Sequence, residues 1–136
     1  QPIRFPSPEC APPLEQIILR NPALDWTVEQ NADNGSVITL YKDDYGEGII
    51  LPHGLQTSLI GQETWHIGPD DPLSARADLN WQVFTGRKNW HVTSDIHSAM
   101  WSDKNWFYMT AKIQAKHCAD IVFKKSWNTK TPRVFL

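Results

Sequence analysis

What most constrains this chain is a period of two sustained through its second half. Residues 75–84, 90–101, 106–116 and 121–128 alternate apolar and polar side chains or are rich in β-branched and aromatic residues. The breaks between them, "TGRKN", "SDKN" and "HCAD", are each short enough to close an antiparallel hairpin. Consecutive strands joined by tight turns form a meander. Successive side chains on a strand leave opposite faces, so neighbouring strands must agree on which parity is buried. One face collects Ala77, Leu79, Trp81, Val83, Trp90, Val92, Ile96 and Met100, then Phe107, Met109, Ala111, Ile113, Ala115, Ile121, Phe123 and Trp127. The other collects Arg76, Asp78, Asn80, Gln82, His91, Thr93, Asp95 and His97, with Thr110, Lys112, Gln114 and Lys116. One side is oily and the other wet, the signature of an antiparallel sheet that covers a core with one face. Strands of about ten residues exceed the usual five or six, so the sheet must twist and curl. The expected fold is all-β: an antiparallel meander curled into a β-sandwich or a partly open barrel, lipocalin-like or jelly-roll-like.

Upstream the signal is the same but more broken. "DWTVEQ" and "SVITLYK" flank Asn31, Asp33, Asn34 and Gly35, which is hairpin chemistry, and "DDYGEG" punctuates again before the short strand candidate "QETWHI". Six of the ten prolines fall in the first 22 residues. Proline favours extended backbone without ladder hydrogen bonds, so residues 1–23 read as a Pro-rich linker or extended arm and residues 24–136 as a single β-domain. Within the arm, "LEQIILR" fits either one helical turn or an edge strand.

A chain of 136 residues supports one sizeable core and is short for two. With 13 basic and 15 acidic residues and a net charge of -2, it lacks the basic surplus that phosphate binding requires, so nucleic acid is not an expected partner. No apolar run approaches 18 residues and no signal-like start precedes the arm, so no membrane partner is expected and a cytoplasmic setting is favoured. The chain opens on Gln1, and its only methionines are Met100 and Met109, so it reads as a piece of something longer. Cys10 and Cys118 form no C-x-x-C motif, and two unrelated reduced thiols are the simpler reading.

Candidate chemistry is sparse. His91, Asp95 and His97 share a parity, but six residues of strand spread them over about 20 Å, too far for one ion. Ser58 and Ser74 lack a G-x-S-x-G elbow or a base placed by sequence. In "PDDPLSAR", Asp70 and Asp71 are adjacent on an extended chain and point apart, so they read as a structural corner. There a carboxylate caps backbone N–H groups, prolines end the strand after Ile67, and Arg76 reaches back to one aspartate. Of the seven tryptophans, Trp101 and Trp106 flank the "SDKN" turn off the oily face and are the candidate contact surface. No residues are assigned a catalytic, metal-binding or cofactor-binding role, and no cofactor is expected.

Together "DDYGEGIILPHGLQTSLIGQETWHIGPDDPLSARADLNW", "NWHV", "FYMTAKIQA", "IVFKKSW" and the terminal "TPRVF" resemble the C-terminal end of peptidase family S15-like proteins, from about residue 41 onward. These are the X-Pro dipeptidyl-peptidase and cocaine-esterase-like α/β-hydrolases. "HG" and "PDDPLSA" are the specific pieces. "MWSDKNWFY" and "KHCAD" depart from the pattern, which tends to charged residues with a Thr-His step and to a glycine-containing turn at those places. The resemblance implies that the Ser-Asp-His triad lies in an upstream hydrolase domain and that this chain is a non-catalytic accessory domain, with the α/β-hydrolase domain of its parent chain as partner. Self-association is left open. The rival expectation is a β-barrel that binds a small lipid or sugar in a hollow, Trp-lined interior. A self-contained enzyme is the weakest option.

Overall fold

A computed structural model describes residues 4–134; residues 1–3 and 135–136, the two ends of the chain that include Pro2 of the arm and the phenylalanine of "TPRVF", lie outside the described residues. Eight strands follow in order: β1 Gln16–Arg20, β2 Ala23–Gln30, β3 Val37–Ile50, β4 Leu55–Gly68, β5 Asp71–Arg87, β6 Trp90–Ser102, β7 Trp106–His117 and β8 Asp120–Pro132. All belong to one antiparallel sheet in which β3 to β8 are a simple meander. β1 and β2 lie end to end on the outer side of β3, so "LEQIILR" supplies an edge strand and no helical turn. The described residues contain no helix, hence none long and apolar enough to cross a membrane.

The turns follow from their residues. Asn31 Oδ1 accepts from the N–H groups of Asp33 at 2.8 Å and Asn34 at 3.3 Å, which shapes the β2–β3 loop before Gly35 takes its positive φ of 70°. Asp103 Oδ1 does the same for Asn105 at 2.7 Å and Trp106 at 2.8 Å between β6 and β7. Two-residue turns close β4–β5, β5–β6 and β7–β8, and one residue of each, Asp70, Lys88 and Cys118, sits in the left-handed region at φ 55°.

Registry bears out the division into two faces. Trp81 pairs with Ile96 and Ile96 with Ile113, Met100 pairs with Met109, and Ala115 pairs with Phe123, so the oily side chains of four strands share one surface. The same surface continues through Trp65, opposite Ala77, and Thr39 on β3 to Val28 on the edge strand β2. Ile121 is a correction. The register shifts after Ala115, Ile121 pairs with Lys116, and Val122 is the extra residue of a bulge, so Ile121 turns to the wet side.

The sheet is not closed into a barrel: β1 and β2 at one end and β8 at the other remain edges, and strands touch only the neighbours they pair with. Neither face is covered. Among the described residues only Ala77 and Ala99 of the apolar side chains are buried, while Trp26 is 62% exposed, Trp65 49% and Trp127 42%. The accessible surface is 10545 Å², against about 7,200 Å² for a compact protein of this mass. The excess comes from the arm before β1 and from an oily face with no second layer upon it.

Candidate functional site

The uncovered oily face is the largest feature that the fold positions. It has relief. A groove of about 360 Å³ crosses β3 to β7, with Ala77 as its floor and Val37, Trp65, Ile67, Met100 and Phe107 as its walls. A second, of about 610 Å³, opens where small residues on β6 and β7, Ser98 and Ala111, lie between Leu79, Met100, Met109 and Trp127. Small floors and large apolar walls accept inserted side chains, the arrangement found at the centre of protein interfaces. Charge on this face is sparse: Asp43 and Glu63 toward one edge, Lys125 and Arg133 toward the other, with Arg133 5.0 Å over the Phe107 ring, and Arg87 beside the β5–β6 turn; Glu63 accepts from the Trp65 indole N–H at 3.1 Å.

The opposite face is a polar lattice. Gln82 donates to Asp95 at 2.8 Å, His97 Nδ1 lies 3.0 Å from Asn80 Oδ1, and Lys116 reaches Asp95 at 3.9 Å. His91 instead packs its ring toward Phe84 at 5.9 Å. The three residues weighed as metal ligands therefore have separate neighbours, and no group of three His, Cys, Asp or Glu stands close enough to hold an ion among the described residues.

At the upper end of this wet face lies a lateral row, Arg76, Trp101, Tyr108 and Lys130, one residue from each of β5 to β8. Arg76 sits 5.0 Å over the Trp101 ring, and Trp101 stacks on Tyr108 at 5.5 Å with planes 12° apart. Lys130 Nζ stands 4.3 Å over Trp106. Trp101 and Trp106 are thus half-buried members of an aromatic–cation ladder. The Tyr108 hydroxyl donates to Asp103 at 2.6 Å, and this bond, with those from the Asn105 and Trp106 amides, holds the Asp103 carboxyl below its usual range. The tryptophans that present most ring to solvent are those of the oily face.

The corner after β4 departs from expectation in its wiring. Arg76 does not reach back to Asp70 or Asp71; it forms a two-pronged pair with Asp78 on its own strand, at 2.6 and 2.8 Å, because residues two apart on a strand share a face. That bond is what lowers the Asp78 carboxyl. Asp71 Oδ1 caps the Leu73 amide at 3.0 Å as foreseen, whereas Asp70 contributes its left-handed turn conformation. The fastening residue is Ser74, whose hydroxyl accepts from the Gly68 N–H and donates to the Asp71 carbonyl, both at 2.6 Å. β5 starts at Asp71, four residues before the alternating segment 75–84 read from the sequence. His66 Nδ1 meets the Ser74 carbonyl oxygen at 3.3 Å and not its hydroxyl, whose proton is already directed at Asp71.

A second cluster escaped sequence reasoning. Arg20, at the end of β1, donates to both Asp44 oxygens at 2.7 and 3.0 Å, to Glu47 at 2.7 Å and to the Ser58 hydroxyl at 2.8 Å. The chain can form this clasp because β3 bulges between Asp44 and Glu47, where Gly46 has φ 82°. A Cβ on Gly46 would lie 2.6 Å from the Arg20 carbonyl oxygen. The Arg20 bond holds the Asp44 carboxyl below its usual value. Ser58 is an acceptor in a structural clasp; the signal in the sequence was the run of acids around a glycine in "DDYGEG". Cys10 and Cys118 are exposed and unpaired.

Fold and site together define a class: an open, amphipathic antiparallel sheet with an uncovered apolar face and two free edges. No family model, curated protein or solved structure matches the chain.

Proposed function

We propose that this chain is a non-catalytic accessory β-domain of an S15-like serine hydrolase, and that its oily face packs on the α/β-hydrolase domain of the same protein and shapes access to it. The observation that carries the reading is the uncovered face itself. Contiguous apolar surface of this extent marks a surface that meets another protein, and the two grooves offer pockets for that protein's anchors. The residue resemblance, centred on "PDDPLSA", supplies the kind of partner. On the wet face Gln82 and Lys116 engage Asp95, His97 lies beside Asn80 and Arg76 engages Asp78, while Ser58 and Ser74 are engaged with Arg20 and with backbone.

The reading sets a magnitude. Trp65 leaves about half of its surface exposed; covering some 120 Å² more at about 25 cal/mol per Å² contributes roughly 3 kcal/mol to docking. The test mixes this chain with the separately produced polypeptide that precedes it in its reading frame and measures binding calorimetrically. That polypeptide is expected to carry a nucleophile elbow and to lose about a hundredfold in affinity against Trp65→Ser. A preceding segment without a serine-hydrolase motif, or binding indifferent to Trp65→Ser and Met109→Ser, refutes the proposal.

A further inference from the structure

The sheet has two free edges. β8 pairs only with β7, and β2 only with β3, so the outward N–H and C=O groups of both have no strand partner among the described residues. Such an edge is a template for another strand. Each carries a bulge-free run: Ala23 to Gln30 on β2, and Phe123 to Pro132 on β8.

The side chains of the two runs are complementary. On the oily face β8 presents Phe123, Lys125 and Trp127, the lysine ammonium lying 4.9 Å over the Trp127 ring, and β2 presents Leu24, Trp26 and Val28. On the wet face β8 presents Lys124 and Lys130, and β2 presents Asp25 and Glu29. None of these four charged residues forms a salt bridge among the described residues. Charges on an edge ordinarily ward off pairing. Here they do so selectively: β8 against β8 brings lysines together and β2 against β2 brings acids together, whereas β8 beside β2 can set Lys130 next to Glu29 and leave Lys124 diagonal to Asp25, two residues along the strand.

We propose that β8 of one copy of this chain pairs with β2 of a second copy, carrying the sheet from molecule to molecule with both faces continuous. Six antiparallel steps separate β2 from β8, so the two run in the same direction and copies that keep their oily faces in common join through a parallel ladder. The joint uses a different surface on each copy; it is heterologous, and it ends by closing into a ring or extends as a filament. It uses the edges, leaving the oily face for the partner proposed above.

The test is charge reversal followed by sedimentation velocity and native mass spectrometry on this chain. The wild-type chain is expected to assemble, more weakly as salt rises. Lys124→Glu with Lys130→Glu makes the wet side of both edges acidic, and Asp25→Lys with Glu29→Lys makes it basic on both; each pair alone is expected to weaken assembly roughly tenfold or more. A one-to-one mixture of the two variants restores opposite signs at every joint and is expected to assemble, as is the chain carrying all four changes. Because the same substitutions both abolish and restore assembly, misfolding does not explain that pattern. The proposal is overturned by a wild-type chain that stays monomeric, by either reversal pair assembling as well as wild type, or by a mixture that stays monomeric. Trp65→Ser leaves both edges intact, so failure of hydrolase docking and failure of edge pairing are read separately.

Discussion

Gly61 of β4 lies opposite Trp81 of β5, and the indole rests over it. A Cβ added there would stand 2.7 Å from Cη2 and Cζ3 and 2.8 Å from Cε3 of the ring, against a comfortable carbon separation of about 3.5 Å. Backbone strain does not confuse the case, since Gly61 is not among the glycines with positive φ. For Gly61→Ala the ring must give way by most of an ångström while its neighbour Tyr45, at 6.2 Å between centroids, limits its freedom. Overpacking of this kind costs about 1–3 kcal/mol, and the lower backbone entropy of alanine in the unfolded chain returns about 0.5–1 kcal/mol. The net expectation is a loss of about 1–2 kcal/mol. With Trp81→Val in place the obstruction is gone, and the same substitution is expected to stabilise by about 0.5–1 kcal/mol, a coupling near 2 kcal/mol between the two positions. Equilibrium unfolding in urea, followed by far-ultraviolet circular dichroism on the four proteins of the cycle, measures it. If Gly61→Ala has the same effect in both backgrounds, the β4–β5 register and the placement of Trp81 on the oily face are wrong.

Three further outcomes are expected. Ser74→Ala removes both fastenings of the corner and is expected to cost about 1–2 kcal/mol, whereas Arg76→Ala leaves the Gly68 and Ser74 amide-exchange protection unchanged, because its partner is Asp78. Gly46→Ala must place a side chain at φ 82° and against the Arg20 carbonyl; a loss of about 2–4 kcal/mol is expected in the urea midpoint, and a neutral result denies the bulge. The Asp44 carboxyl has its folded pKa lowered, first of all by the Arg20 hydrogen bond. Its contribution is therefore present above the unfolded value of 3.8 and lost as pH falls through the folded one. A plot of stability against pH is expected to decline on the acid side, and Arg20→Gln to flatten that decline; an unchanged slope refutes the linkage.

The sequence by itself determined the class of fold, the order of strands in the second half and the membership of the two faces, because alternation is a property of each strand alone. It also determined where turns fall, since Asn31, Gly35 and Asp103 carry their turn chemistry in their own side chains. Tertiary structure decided whatever depends on which strand lies beside which. A bulge is a mismatch between two strands, so neither the reversal of Ile121 nor the opening at Gly46 is written in one of them. The Arg20 clasp needs β1, β3 and β4 side by side, and Ser74 fastens the corner only once Gly68 and Asp71 are folded toward it. Whether the sheet closes was likewise beyond local pattern: closure depends on twist and stagger summed over every strand, and here two edges stay apart and one oily face stays open.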